Sequence, residues 1–416
     1  MALIVSVEQM RALEAEADRR GVGFDRMMDL AGEAVFSETV RATGPVAGKR
    51  VLALCGGGNN GGDGLVAAAH FSKAGAAVSV VLAAERKPDD PRLREARDAG
   101  CAIHYRADPA GRNGLVPALD QADVVIDAVL GTGTRLPLRA PAADVLETVR
   151  SRFAATGRRP FVTAVDCPSG VDCNSGAAAA ESFAADLTVT FGAAKPGLLE
   201  FPAAELTGRL IVAGIGWPPD LSGLPSSGPV LADAGMVRPW LRPRPRDSHK
   251  GTYGRVIVIG GSARYPGAPT LAAMGAYRAG AGLVTLAGPQ SIYPADVGVL
   301  PEATWIVLPE DFGVLAPAAA EVLEPELRQA EAVVLGPGIG REKPTVAFLR
   351  ELFRPGDSPK RAMGFGPAEK TADAGRGRRP PMVVDADALR ILAGFPEGIR
   401  GLPANSVLTP HPGEMS

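Results

Sequence analysis

RVLALC at residues 50–55 runs straight into GGGNNGGDG at 56–64 and then LVAAAHFSKAG at 65–75. After its opening arginine the first segment is continuously apolar with no period-two alternation, the pattern of a parallel strand covered on both faces. The last segment carries apolar residues at helical spacing and stops at Gly75. Between them, successive glycines can take positive φ and bring backbone amides close to an anion, and the start of the helix adds positive potential. Strand, glycine-rich loop and helix in that order predict an α/β fold built on a mostly parallel sheet.

The same texture continues outward. AVSVVLA (77–83), DVVIDAVLG (123–131), PFVTAVD (160–166) and LTVTFG (187–192) read as further buried strands. In front of them, Ser6 and Gln9 predict a capping box ahead of Met10, Leu13 and Ala17. Residues 217–246 are dense in proline and poor in periodicity, which predicts a linker. A second α/β pattern then begins, with GRVIVIGG (254–261), TLAAMGAYRAGAG (270–282), LVTLAG (283–288), EAVVLGPG (331–338), PMVVDADAL (381–389) and VLTPHPGE (407–414). The expected division is a first domain over 1–220, a Pro-rich linker over 221–246 and a second domain over 247–416. The polar, basic, glycine-rich stretch 356–380 reads as a surface insertion in the second domain. No repeated motif links the halves.

Composition narrows the function classes. The 416 residues carry a net charge of -2, with 46% hydrophobic and 22% charged residues, so the chain is neither disordered throughout nor built for nucleic acid or a membrane surface. No apolar run is long enough to span a bilayer, and the first twenty residues lack the features of a secretion signal, which predicts a cytoplasmic protein. Cys55, Cys101, Cys167 and Cys173 form no C-x-x-C pair and the four histidines are scattered, so a zinc site is not expected.

Three strand-end loops carry the chemistry. In the first, Gly56, Gly58 and Gly61 formally satisfy G-x-G-x-x-G, with Glu85 after the next strand as an acidic ribose candidate. A dehydrogenase reading leaves Asn59, Asn60 and Asp63 unexplained, since these supply hard oxygen acceptors on an anion-cradling loop. In the second, Asp127 ends an apolar strand, where a carboxylate is costly unless hydrogen-bonded or bound to a cation, and Arg135 could pair with a phosphate. It could equally be a turn residue capping the next helix. In the third, Asp166 ends a strand ahead of Pro168, Ser169 and Gly170, while Asp166 or Asp172 could instead be a helix N-cap or a turn-former. Together the loops point to a site for a cation and a phosphate-bearing ligand. A nucleophilic triad is not supported, because no G-x-S-x-G elbow is present.

GGGNNGGDG, DAVLGTGTRLP and DCPSGVD, in that order, resemble the NAD(P)H-hydrate epimerase family. HKGTYGRVIVIGGS, YPGAP, GPGIG, VVDADAL and LTPHPGE resemble the ADP-dependent NAD(P)H-hydrate dehydratase family, which is ribokinase-like in fold. Both together resemble the bifunctional nicotinamide nucleotide repair proteins. The resemblance implies an N-terminal Rossmann-like three-layer α/β/α sandwich and a C-terminal ribokinase-like α/β sandwich. It implies that Asn59, Asn60, Gly61, Gly62 and Asp63, with Gly131, Thr132, Gly133, Thr134, Arg135, Leu136 and Pro137, bind the hydrated dinucleotide. It further implies potassium on Asn60, Asp127 and Ser169, Asp166 as the acid–base group at the damaged ring, and Ala268, Gly338 and His411 as the hydrate contacts of the dehydratase part.

The partners so implied are NADH and NADPH hydrates, with potassium as cofactor and ADP or ATP, with or without magnesium, for dehydration; a homo-oligomer is allowed. Family dehydratases continue beyond T-P-H-P-G-E into a phosphate loop and a catalytic aspartate. Because the sequence ends at Ser416, the expectation is an incomplete second domain without dehydratase activity. Two other readings remain: an NAD(P)-dependent oxidoreductase using GGGNNG as a plain dinucleotide loop, and a non-catalytic dinucleotide-binding or scaffolding protein.

Overall fold

The computed structural model describes residues 2–87, 89–106, 109–218, 220–221, 228–241, 243–354 and 379–415. They form two compact units, Met1–Arg242 and Pro243–Ser416.

In the first unit, β1 (Ala2–Leu3) leads into α1 (Val7–Arg19) and α2 (Phe24–Thr43). The expected capping box starts α1, with Ser6 Oγ accepting from the Gln9 amide and the Gln9 side chain accepting from the Ser6 amide. Then come β2 (Arg50–Cys55), α3 (Asn59–Lys73), β3 (Ala77–Leu82), β4 (Ala102–Tyr105), β5 (Val124–Ala128), β6 (Phe161–Val165), β7 (Leu187–Phe191) and β8 (Arg209–Ala213). All seven strands from β2 to β8 are parallel, in the order β4-β3-β2-β5-β6-β7-β8. Alternate residues of β2 explain the layers. Val51, Ala53 and Cys55 face a core with Met27, Ala31 and Val35 of α2 and Leu65 and Ala68 of α3. Leu52 and Leu54 face the opposite core, with Leu115, Leu119, Val145, Leu146 and Val149 from the helices Pro109–Gln121 and Ala142–Thr156. The result is an α/β/α sandwich.

Asn59–Asp63 do not lie on a loop. They make the opening of α3, because Gly61, Gly62 and Gly64 let the helix settle onto its surroundings. A Cβ on Gly61 would stand 2.0 Å from the Gly56 carbonyl oxygen, and one on Gly64 would stand 2.4 Å from Ala128 Cβ. The stretch read as a linker contributes β9 (Val230–Leu231), which pairs antiparallel with β1.

The second unit has β10 (Arg255–Ile259), β11 (Leu283–Pro289), β12 (Thr304–Leu308), a hairpin of β13 (Glu310–Asp311) and β14 (Val314–Leu315), then β15 (Ala332–Leu335), β16 (Met382–Val384) and β17 (Val407–Leu408). Its main sheet is parallel, in the order β12-β11-β10-β15-β16-β17. Ile257 and Ile259 pack beneath Leu323, Phe348, Leu349 and Ile391, while Val258, Val284 and Leu286 pack on the other face against the helix Gly267–Ala279. The insertion expected over 356–380 lies outside the described residues as far as 378. At its far end Arg379 donates to Glu324 Oε2 at 2.8 Å and to the Leu352 carbonyl. No helix among the described residues is long and apolar enough to cross a membrane.

Candidate active site at the strand-order switch

In the first sheet the strand order reverses between β2 and β5, so the loops leaving these two strands part and open a crevice at their carboxyl ends. Gly56 permits the closest approach across it: its amide donates to the Ala128 carbonyl at 3.0 Å, and a Cβ there would lie 2.0 Å from the Val129 oxygen. α3 then starts at Asn59 from Gly58, with no side chain capping it and no acidic residue in its first turn. Its first amides are therefore available to an anion from the crevice. Gly62 lies over Met28 of α2, with Met28 Sδ 2.8 Å from the position a Cβ would take.

The second loop leans on the first. Gly131 sits against Asn60, where a Cβ would be 3.0 Å from the carboxamide oxygen. Thr134 closes a turn by donating through Oγ1 to the Gly131 carbonyl at 2.9 Å, and Arg135, Leu136 and Pro137 follow as exposed residues. Both polar atoms of the Asn60 carboxamide are buried without a hydrogen-bond partner among the described residues. Asp127 is 1% exposed, and its oxygens accept from Ser169 Oγ at 2.5 Å, the Ser169 amide at 2.8 Å and the Val129 amide at 3.4 Å. Burial pushes this carboxyl up to about 6, against which the Ser169 hydroxyl and the two amides pull downward. The helix-capping alternative for Asp127 fails, since the next helix begins only at Ala142. The Ser169 hydroxyl also accepts from the Leu130 amide at 2.9 Å, which ties the second loop to the third.

These residues fit a potassium ion by their chemistry. A buried carboxylate with no basic partner among the described residues, an orphaned carboxamide oxygen and a hydroxyl form an all-oxygen set suited to a hard cation, by extension from calcium and magnesium sites. No cluster of three or more His, Cys, Asp or Glu side chains suited to a metal occurs among the described residues. That observation does not bear on a set drawn from Asn, Asp and Ser.

The third loop carries Asp166, at φ 65, in the left-handed region that few residues other than glycine occupy. Sequence reading missed what holds it there. Lys195, 0% exposed, places Nζ 2.6 Å from Asp166 Oδ1. Glu14 of α1 was also missed. Burial and then the field of Asp166 raise its carboxyl. Asp63 is raised well above the usual range by burial first, then by Asp166 and Glu14, with Arg92 and Arg86 opposing. The three carboxyl groups thus act on one another electrostatically. Asp172, by contrast, is the turn-former its alternative reading allowed, accepting from the amides of Asn174 and Ser175 at 2.9 Å each. Glu85 is exposed at the lip of a separate hollow of about 260 Å³ beyond β3 and β4, shared with Tyr105 and Arg106.

In the second unit, Gly338 and Ala268 come together. Gly338 has φ 68, and a Cβ on it would stand 2.8 Å from Ala268 Cβ. A cavity of about 440 Å³ beside them is lined by Arg264, Tyr265, Gly340, Arg341, Glu342 and Asp387. His411 follows β17 on the same carboxyl edge, separated from the Gly338 loop by β16. Its Nε2 lies 3.3 Å from Glu414 Oε1, and its side chain is 63% exposed.

A family described as YjeF-related protein N-terminus matches residues 24–197, and one described as NAD(P)H-hydrate dehydratase matches residues 256–416. A Moorella thermoacetica protein named bifunctional NAD(P)H-hydrate repair enzyme is 36% identical over 402 residues, covering 94% of this chain and 69% of that protein. Proteins of the same name from Hyperthermus butylicus and Pyrobaculum aerophilum are each 36% identical. The alignments cover 99% and 100% of this chain and 70% and 75% of those proteins. Because the dehydratase match runs to residue 416, the expectation of an inactive, truncated second domain finds no support and is withdrawn.

Proposed function

The chain belongs to the family of bifunctional NAD(P)H-hydrate repair enzymes, with epimerase and dehydratase domains both present, and on that premise we propose how it divides the work. The first unit interconverts (R)- and (S)-NAD(P)H hydrate. The second takes the (S) form for ADP- or ATP-dependent dehydration, with Ala268, Gly338 and His411 contacting the hydrate and magnesium accompanying the nucleotide. The observation that carries the first assignment is the convergence of the three loops, in which Ser169 bonds Asp127 and Gly131 abuts Asn60.

In this reading the opening amides of α3 and the Gly131–Pro137 loop hold the dinucleotide in the crevice, and its hydrated ring lies at Asp166. The C6 hydroxyl takes up a proton relayed from solvent through Asp166 and leaves as water while the ring-nitrogen lone pair moves into the C6–N bond. The Asp166 carboxylate then takes a proton from the water that adds back and returns it to solvent. Asn60, Asp127 and Ser169 would hold potassium, whose charge would keep the Asp127 carboxylate ionised and fix the two loops. The four free thiols suit a reducing, cytoplasmic compartment.

The test is a chromatogram of (R)-NADPH hydrate incubated with the protein and potassium, with and without ADP. The (S) epimer is expected in both, and NADPH only with ADP. Unchanged peaks in both would leave a binding protein instead, and reduction of an added substrate would point to the oxidoreductase.

A further inference from the structure

Lys195 follows β7 and precedes a short turn of helix at Pro196–Leu199, with its side chain entirely buried. A buried ammonium is costly unless each of its protons finds an acceptor. Here Nζ donates to Asp166 Oδ1 at 2.6 Å, Thr190 Oγ1 at 2.8 Å and the Phe191 carbonyl at 3.2 Å, which uses all three. Thr190 in turn donates its hydroxyl to the same Asp166 Oδ1 at 2.9 Å, and the Phe191 amide approaches that atom at 3.4 Å. Every described bond to the Asp166 carboxylate therefore falls on Oδ1, and Oδ2 receives none.

Two further cations that act on the neighbouring Asp63 are committed elsewhere. Arg86 is held by Asp90 and by the carbonyls of Gly56 and Gly58, and Arg92 by Asp25, Asp29 and Glu95. Glu14 and Asp63 would repel a third carboxylate at Asp166 if nothing offset its charge. The left-handed backbone at Asp166 persists only where its surroundings hold it.

We propose that Lys195 is the positioning residue of the epimerisation: it fixes Oδ1 of Asp166 so that Oδ2 is the one atom presented to the C6 hydroxyl. This rests on the reading of Asp166 as the acid–base group. Lys195 touches neither substrate nor reacting atoms and acts through Asp166 alone.

The experiment is a double-variant cycle on the full chain, with Lys195→Met, Asp166→Asn and the two combined. The rate of (R)-to-(S) conversion is followed by chromatography, and folding by thermal melts. Lys195→Met is expected to lower kcat by about 10²-fold, the scale of a small misplacement of a reacting group, with KM little changed. Added to Asp166→Asn, it should cost nothing further. Equal losses in both backgrounds would mean a merely structural lysine and overturn the proposal, as would wild-type turnover in the single variant. Full turnover in Asp166→Asn would instead sink the reading of Asp166. Should Lys195→Met not fold, Thr190→Val removes the hydroxyl that relays to Oδ1 while keeping the ion pair. It is expected to lower kcat in the native background only, and equal losses in both would again overturn the proposal.

Discussion

Ser169 grips both oxygens of Asp127, its hydroxyl donating to Oδ1 at 2.5 Å and its amide to Oδ2 at 2.8 Å, although the two residues stand 42 positions apart. The clasp joins the ends of β5 and β6 and sets the electrostatics at the base of the crevice. Asp127 is raised to about 6 from the ordinary 3.8, so the folded protein holds this proton more tightly than the unfolded chain does. The carboxylate therefore subtracts stability above about pH 6, and that loss is relieved as the pH falls through the window toward 3.8. A cation can offset the loss only where the group is charged. Potassium is expected to raise Tm at about pH 8 and to have little effect at about pH 4, read from melts in potassium and tetramethylammonium chloride at equal ionic strength. Asp127→Asn should melt higher than the native protein in potassium-free buffer at the higher pH and lose the potassium response.

Asp63 offers a second linkage. Its carboxyl is raised well above the usual range by burial and by its acidic neighbours, so the folded protein binds this proton more tightly than the unfolded chain and loses stability as the pH rises above 3.8. Asp63→Asn is expected to raise Tm at neutral pH, with the gain shrinking as the pH is lowered toward the ordinary carboxyl value of 3.8. The same variant should epimerise more slowly. A gain in stability with a loss in turnover marks a group kept for function at the expense of the fold.

Asp166→Ala tests the chemistry directly. Loss of a general acid–base group typically lowers the rate by about 10²–10⁴-fold. The expected outcome is that loss in (R)-to-(S) conversion with far-ultraviolet circular dichroism unchanged, and undiminished turnover would remove Asp166 from its assigned role.

Gly56→Ala tests the packing of the crevice. The added Cβ would meet the Val129 carbonyl at 2.0 Å, and both partners are backbone, so neither can rotate away. Overpacking of this kind costs roughly 1–3 kcal/mol or more. A denaturant midpoint equal to that of the native protein would contradict the close approach.

His411→Ala probes the second unit. With its side chain mostly exposed, the substitution should leave Tm and epimerisation as they are and raise KM for ADP-dependent dehydration. Unaltered dehydration kinetics would exclude the assigned contact.

Much of this architecture was readable from the chain. β2, β3, β5, β6 and β7 announce themselves because each is buried on both faces and so is apolar without interruption. AIHY in β4 and RLIVA in β8 were passed over because they are the outer strands, only half-buried and marked by no such run. The loops bearing Asn60, Asp127 and Ser169 were legible through glycine and oxygen-bearing residues after apolar strands. Lys195 was not. It lies 29 residues from Asp166, and the two meet only because β6 and β7 are neighbours in the sheet. Its one signal is a lone lysine in the small-residue stretch FGAAKPG, where a solvent-exposed position would ordinarily be assumed. Glu14 carried no signal of its own among the several charged residues of α1.

The pairing of Ala2–Leu3 with Val230–Leu231 bears on the order in which the molecule can be made. On the ribosome the opening strand waits without a mate while some two hundred residues emerge, since the span that completes it comes after the whole seven-stranded sheet. The first unit is thus assembled from its middle and buckled last at its own beginning. A substitution at Leu3 that weakened this pairing would undo the last fastening made and leave the seven-stranded sheet standing.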